Sequence, residues 1–349
     1  MKRELVIDGR VINDDSECFV IAEVGHNHQG DVAKCKELFR RAKEAGVAAV
    51  KLQKRDNRSL FTRAMYDKPY DHENSFGATY GLHREALEFG RAEYRELQQF
   101  ARAEGLVFFA TAFDIPSADF LAELDVPAFK IASGDVRSLP LLEHVARLGK
   151  PMIVSTGGAR MEDIERVYDA VMPLNRQLAF LQCTASYPCE FSELDLNVIV
   201  TLRARFPELV IGFSGHDNGI AMAVAAYVLG ARIIEKHFTL NRAMKGTDHA
   251  FSLEPVGLRK MQRDLSRLRD ALGDGVKKVH PSEPAAVTKM GKKLVAAHDL
   301  AAGHVLGAAD VAMKSPGDGL PPYELPRVLG RRLKRAVAAD EGLSLELLA

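Results

Sequence analysis

The sequence predicts an α/β fold: a (β/α)8 TIM barrel followed by a small, mostly-β domain. Three observations carry this. Short, nearly continuous apolar runs recur eight times, each followed by a stretch with helical spacing. Such runs joined by crossover helices form a parallel sheet covered on both faces, and eight of them suit a closed barrel of about 250 residues. Second, the first run ends in Glu-Val-Gly-His-Asn-His, without the Gly-x-Gly-x-x-Gly fingerprint of an open doubly wound sheet. Third, the rhythm stops at about residue 280, where short strands, small residues and Pro/Gly punctuation begin.

The elements follow in order. CFVIAEV (18–24) is the first strand. Val32, Cys35, Leu38, Phe39 and Ala42 then share one helical face, and Gly46 stops that helix. VAAVKLQ (47–53) is the second strand, a polar and aromatic loop covers 54–85, and a helix over 91–104 carries Tyr94, Leu97 and Phe100 on one stripe. Further strands are expected at 106–111, 127–132, 151–156, 178–183, 209–214 and 231–238. Helices fall between them at 117–124, 139–148, 161–172, 195–205 and 218–229. A last helix has Leu258, Met261, Leu265, Leu268 and Leu272 in step. The barrel is thus expected over 1–275, a linker over 276–288 and the second domain over 289–349.

Lys+Arg and Asp+Glu both number 47, so the chain has no basic excess for nonspecific binding to nucleic acid or an anionic membrane. Four cysteines without a Cys-x-x-Cys pair read as reduced thiols. The start, MKRELVIDGR, lacks the apolar run of a signal peptide, and no apolar segment approaches the ~20 residues of a membrane helix. A cytoplasmic enzyme without nucleic-acid or membrane partners is the expectation.

Catalytic groups of such barrels sit at the C-terminal ends of the strands. Here those ends read Glu23, Lys51 with Gln53, Thr111, Lys130 with Ser133, Ser155 with Thr156, Thr184 with Tyr187, Ser214 with His216, and Glu235 with His237. Lys51 and Lys130 lie inside apolar strand ends, where an ammonium needs a partner. A salt bridge to Glu23, Glu235 or Asp135 is one reading. With the neighbouring hydroxyls, a site for a small polyanion is the other. A Schiff base on Lys130 is a rival use. His216 and His237 end adjacent strands, an arrangement that suits an open divalent-metal site with room for water and substrate oxygen. Either histidine alone would read as a structural hydrogen-bonded group. His26 and His28 flank Asn27 and either bind a ligand or order that loop.

At these residues the sequence resembles the N-acetylneuraminate (sialic acid) synthase family. IAEVGHNHQGD, AVKLQK, FKIASGD, IVSTGG, LQCTASYP, IGFSGHDNGIA and IEKHFTLNRAMKGTDHAFSLEP look like family motifs, in order. TYGLHREALEF resembles the branch that includes the animal sialic acid 9-phosphate synthases, and LVAAHDLAAGHVLGAADVAMKSPGDG is similar to the antifreeze-like (SAF, β-clip) domain that closes family members. The resemblance implies condensation of phosphoenolpyruvate with an N-acetylmannosamine-type sugar, C–O cleavage and phosphate release, in a domain-swapped homodimer. It implies a divalent metal, Mn2+ first, with Mg2+ or Co2+ as alternatives, on His216 and His237. Phosphoenolpyruvate would meet Lys51, Lys130, Ser133, Ser155, Ser214, Thr111 and Asn74. The sugar would meet Glu23, Gln53, Tyr187 and Asp248, with Glu23 orienting or moving a proton.

Two departures bear on the substrates. Ala185 stands where some bacterial members carry an asparagine on phosphoenolpyruvate, and Lys314-Ser315-Pro316 stands for Lys-Arg-Pro, whose arginine reaches the acceptor across the dimer. A 6-phosphorylated acceptor would need another cation, with Arg55, Arg58, Arg63 and Lys245 as candidates. A legionaminic-type acceptor, a metal-dependent pyruvate aldolase and an inactive sugar- or ice-binding barrel are the remaining alternatives.

Overall fold

The computed structural model describes residues 3–349. The chain forms two compact units, Met1–Leu272 and Gly273–Ala349.

The first unit opens with a hairpin the sequence reading did not foresee. Strands β1 (Glu4–Ile7) and β2 (Arg10–Asn13) pair antiparallel around Asp8-Gly9, both at positive φ (49° and 74°). Asp-Gly is the dipeptide that accepts this doubly left-handed turn, whose twist matches the strands it joins. Leu5, Ile7 and Ile12 are buried in the barrel's hydrophobic core, while Val6 and Val11 face outward.

Eight parallel strands then close the barrel: β3 (Phe19–Gly25), β4 (Ala49–Lys54), β5 (Val107–Ala112), β6 (Phe129–Ile131), β7 (Met152–Ser155), β8 (Leu178–Cys183), β9 (Val210–Gly215) and β10 (Ile233–His237), with β10 returning to β3. Every expected strand is present. All their residues are buried except Gln53 and Lys54, which is why the runs are continuously apolar instead of alternating.

The helix Val32–Ala45 starts at Asp31, whose carboxylate accepts from Lys34 N, and ends at Gly46 with φ 84°. Two stripes differ from expectation. In Arg91–Ala103, Tyr94, Leu97 and Ala101 are buried but Phe100 is only half-buried, covered by Lys36 and Arg40. In Pro255–Leu272, Leu272 is exposed. The expected loop at 54–85 contains three short helices, Asn57–Leu60, Arg63–Tyr66 and Tyr80–Glu85, each capped by the side chain before it (Asp56, Thr62, Thr79). Such single turns lack the length for a visible apolar stripe.

The second unit holds the antiparallel pair β11 (Lys293–Ala296) and β12 (Val311–Lys314) and a core around Leu294, Leu306, Val328, Leu333 and Leu343. The stretch 276–288 falls within this unit, and its end joins a helix, Pro284–Met290, with proline in the first turn. Gly317 N bonds Thr288 O at 2.7 Å, tying that helix to the loop after β12. No helix among the described residues is long and apolar enough to cross a membrane.

Candidate active site

The C-terminal strand ends enclose a cavity of about 520 Å³. Of the site residues expected from the sequence, Glu23, Lys51, Gln53, Thr111, Lys130, Ser133, Ser155, Tyr187, Ser214, His216, His237 and Asp248 all line it. Asn74 does not. It sits in the loop before Tyr80, where its Oδ1 accepts from Gly246 N at 2.8 Å and so joins two loops.

Register places these groups. β3 pairs Glu23 with Lys51 of β4, then shifts before Gly25, a bulge that re-aims the strand end. Gly25 has φ 53°, and a Cβ there would lie 3.1 Å from both Gln53 Nε2 and Glu23 Oε1. The glycine thus allows those two side chains to bond, at 2.7 Å.

Lys51 Nζ lies 2.6 Å from Glu23 Oε2, 2.7 Å from Thr111 Oγ1 and 3.6 Å from Glu235 Oε1. Lys130 Nζ donates to Ser155 Oγ at 2.6 Å and to Ile131 O at 3.0 Å, with Glu235 Oε1 3.9 Å away. Both structural partners foreseen at strand ends, Glu23 and Glu235, are therefore real, and the lysines face the cavity as well. These four charges are almost wholly out of water. Burial drives the Glu23 carboxyl above its ordinary range, against the pull of Lys51. For Glu235 burial works the same way, but Lys130 and Lys51 together hold it below that range. Burial also lowers Lys130, against Glu235. One Glu235 oxygen, Oε2, is buried without a hydrogen-bond partner.

The imidazoles of His216 and His237 stand with ring centres 5.3 Å apart. Nδ1 of His216 faces Thr184 O at 2.9 Å; a carbonyl only accepts, so Nδ1 carries the proton and Nε2 keeps its lone pair. Nδ1 of His237 is buried without a hydrogen-bond partner, 3.6 Å from Asp248 Oδ2. Burial, then the neighbouring His237, pushes His216 down to about 3, and burial pushes His237 down to about 4, against Asp248. Two neutral imidazoles, one with its tautomer fixed by a backbone carbonyl, fit a divalent cation. Among the described residues no group of three or more His, Cys, Asp and Glu is arranged to hold one, so water or substrate would complete the shell.

The structure adds lining residues that the expected set lacked: Arg84, Phe113, Cys183, Thr247 and Glu235, the last noted only as a partner for lysine. Arg84 stands on the helix Tyr80–Glu85, which is too short to show an apolar stripe in the sequence. Of the extra cations considered for a phosphorylated acceptor, Arg55 lines the cavity, whereas Arg58 stacks on Tyr66 and Arg63 and Lys245 are exposed outside it. His26 is held between Arg55 and Arg84. His28 orders its loop: Nδ1 accepts from Gly30 N at 3.0 Å and the ring stacks on Phe89.

Residues 38–277 match the model of the NeuB family, and 293–349 match the SAF domain. The chain is 40% identical over 342 residues to the human N-acetylneuraminate-9-phosphate synthase, covering 97% of this chain and 95% of that one. It is 32% identical over 332 residues to the N,N'-diacetyllegionaminic acid synthase of Legionella pneumophila, covering 93% of each. The solved N-acetylneuraminic acid synthetase of Leptospira borgpetersenii, a citrate complex, superposes with a TM-score of 0.72 at 31% identity, over 82% of this chain and 96% of that one. With this match extending from the barrel through the closing domain, the chain belongs to the NeuB family, the family of the sialic acid synthases.

Proposed function

We propose that this protein condenses phosphoenolpyruvate with an N-acetylmannosamine-type sugar to a nine-carbon 2-keto acid and phosphate. The observation that carries the reading is the meeting of two buried lysines, Lys51 and Lys130, with His216 and His237 on one cavity. Lys51, Lys130 and the hydroxyls of Ser133, Ser155, Ser214 and Thr111 bind the enol phosphate, because ammonium and hydroxyl donors match its oxygens. A divalent cation on His216 and His237, Mn2+ first, supplies polarisation of the aldehyde when bound.

C3 of the enol attacks C1 of the open-chain sugar and the aldehyde oxygen takes a proton. Water adds at C2, and the tetrahedral intermediate releases phosphate by C–O cleavage, leaving the keto group. Glu23, steered by Gln53 and Lys51, orients the acceptor and moves the proton; Asp248 and Tyr187 hold the sugar. Lys51 and Lys130 stabilise the charge on the departing phosphate. The homodimer that the family resemblance implies belongs to this reading, and a solution mass measurement tests it.

The test is a panel of acceptor sugars with phosphoenolpyruvate and Mn2+ after EDTA treatment, following phosphate and 2-keto acid together. Equal yields of both, dependent on acceptor, are expected. Keto acid formed from pyruvate without phosphate would make the protein an aldolase and end the proposal.

A further inference from the structure

Side chains alternate along β10, so Glu235 and His237 line the cavity while Lys236 between them does not. Lys236 is nevertheless buried, on the outer face of the barrel wall. Its Nζ donates to Asp217 O at 2.6 Å and to Asp217 Oδ1 at 2.9 Å. Asp217 is fully buried and directly follows His216. One ammonium thus joins the residue before His237 to the residue after His216.

Sheet pairing by itself does not hold His216 against β10. The register between β9 and β10 runs from Gly212↔Ile233 to Gly215↔Lys236 and stops there. On the other side, β8 and β9 end their pairing at Cys183↔Ser214. His216 lies past both ends, and three contacts fix it. Its Nδ1 donates to Thr184 O at 2.9 Å, its O accepts from Cys189 N at 3.1 Å, and Lys236 clasps Asp217 beside it. The first two come from the segment after β8, and the third comes from the strand that carries His237. Gly215 makes room for the clasp: a Cβ there would lie 2.7 Å from Asp217 Oδ1 and 2.5 Å from Phe213 Cε1.

Stability does not account for the pair. Exchanging a buried ion pair for apolar side chains of similar size is often neutral or stabilising. Asp217 Oδ2 is also buried without a hydrogen-bond partner, so the carboxylate is incompletely satisfied. What the pair does supply is a fixed spacing between two strand ends. Ligands need to be held within about 0.5 Å by the groups around them. The two imidazoles have ring centres 5.3 Å apart, and among the described residues no third ligand is arranged to hold them together.

We propose that Lys236, acting through Asp217, is a positioning residue for the metal site: it sets the spacing of His216 and His237 without touching the ion or the substrates. The inference rests on the proposed reading of that histidine pair as a divalent-cation site.

Calorimetric titration of the full chain with Mn2+, after EDTA treatment and without phosphoenolpyruvate or sugar, tests it. Lys236→Met combined with Asp217→Leu removes both charges at nearly constant volume, so no lone buried charge remains. This double variant is expected to unfold within a few degrees of the native protein, yet to bind Mn2+ at least ~10-fold more weakly, the order found when groups supporting metal ligands are lost. Its affinity for phosphoenolpyruvate, measured without Mn2+, should stay within ~2-fold. Asp217→Asn keeps the shape and the backbone bond but removes the charge. It should weaken Mn2+ binding several-fold and serves if the double variant fails to fold. His237→Ala should abolish the Mn2+ signal and so identifies the site being read. A native protein that binds no Mn2+, or whose binding survives His237→Ala, ends the metal reading and this inference with it. Binding that needs His237 but stays within ~2-fold of native in both pair variants overturns the positioning role alone. So does a loss that phosphoenolpyruvate shares. If Mn2+ affinity shifts as expected but no phosphate is released with any acceptor, the positioning role stands and the condensation falls.

Discussion

In the barrel, Lys51 pairs with Glu23 at 2.6 Å with both side chains 2% exposed or less. In the small unit, Lys314 pairs with Asp340 while half or more of each lies in water. The contrast extends beyond these pairs. The barrel also buries Lys236 with Asp217 at 2.9 Å, and a set of histidines, whereas no polar side chain of the described residues 273–349 is buried. Removing a charge from water costs several kcal/mol unless a partner and hydrogen bonds offset it, so buried charge marks where a fold accepts cost in return for chemistry. The small unit stands on an apolar core alone, and its ion pairs are worth little.

That contrast can be broken at several points, and the largest effect should come at the cavity. Lys51→Met is expected to lower kcat/KM about 10³-fold in a phosphate-release assay, the order seen when one preorganised charge-stabilising donor is lost. A fall below tenfold would detach the lysine from the chemistry. Glu23→Gln should reduce kcat about 10²-fold or more while KM for phosphoenolpyruvate stays within about threefold. Steady-state kinetics separates the two, and normal turnover would remove Glu23 from its role.

Lys236→Met tests buried charge away from the cavity. It leaves Asp217, fully buried, without its partner, and urea unfolding should show a loss of about 3–5 kcal/mol. A loss under 1 kcal/mol would mean the pair is dispensable.

A smaller effect is expected from acid. Burial, then His26, pushes His28 down to about 3. With its folded value depressed, the unfolded chain takes the proton first, so stability is full above about pH 6.5 and declines as pH falls toward 3. Between pH 7.5 and 5.5 this one group removes about 1.4 kcal/mol. His28→Asn should flatten the pH dependence of unfolding by that amount, and an unchanged slope would refute the assignment. At the far end, Lys314→Met in the small unit should move stability by less than about 0.5 kcal/mol, and a larger loss would end the contrast between the units.

Much of the fold was legible because burial on both faces leaves a plain trace: eight apolar runs, each ending in a polar group. The cavity was legible for the same reason, since alignment of parallel strand ends needs only the strand count. The hairpin at Glu4–Asn13 carries a turn signal, Asp8-Gly9 between LVI and RVI, but its four-residue strands are too short for a strong alternating pattern. The short helices in 54–85 left no periodic trace. Ala185 does line the cavity, so the departure noted in CTASYP falls at the site itself.

By itself the sequence determined the barrel, its order and the identities of the strand-end lysines, carboxylates and histidines, because periodicity and burial are local properties of a chain. Only the tertiary structure decided which charges meet: that Lys51 is shared between Glu23 and Glu235, that Asn74 stays outside the cavity, and that Arg55 and Arg84 converge on His26. Ion-pair and hydrogen-bond energies depend on separations of a few ångströms between residues far apart in sequence, and closure of the ring is what sets those separations.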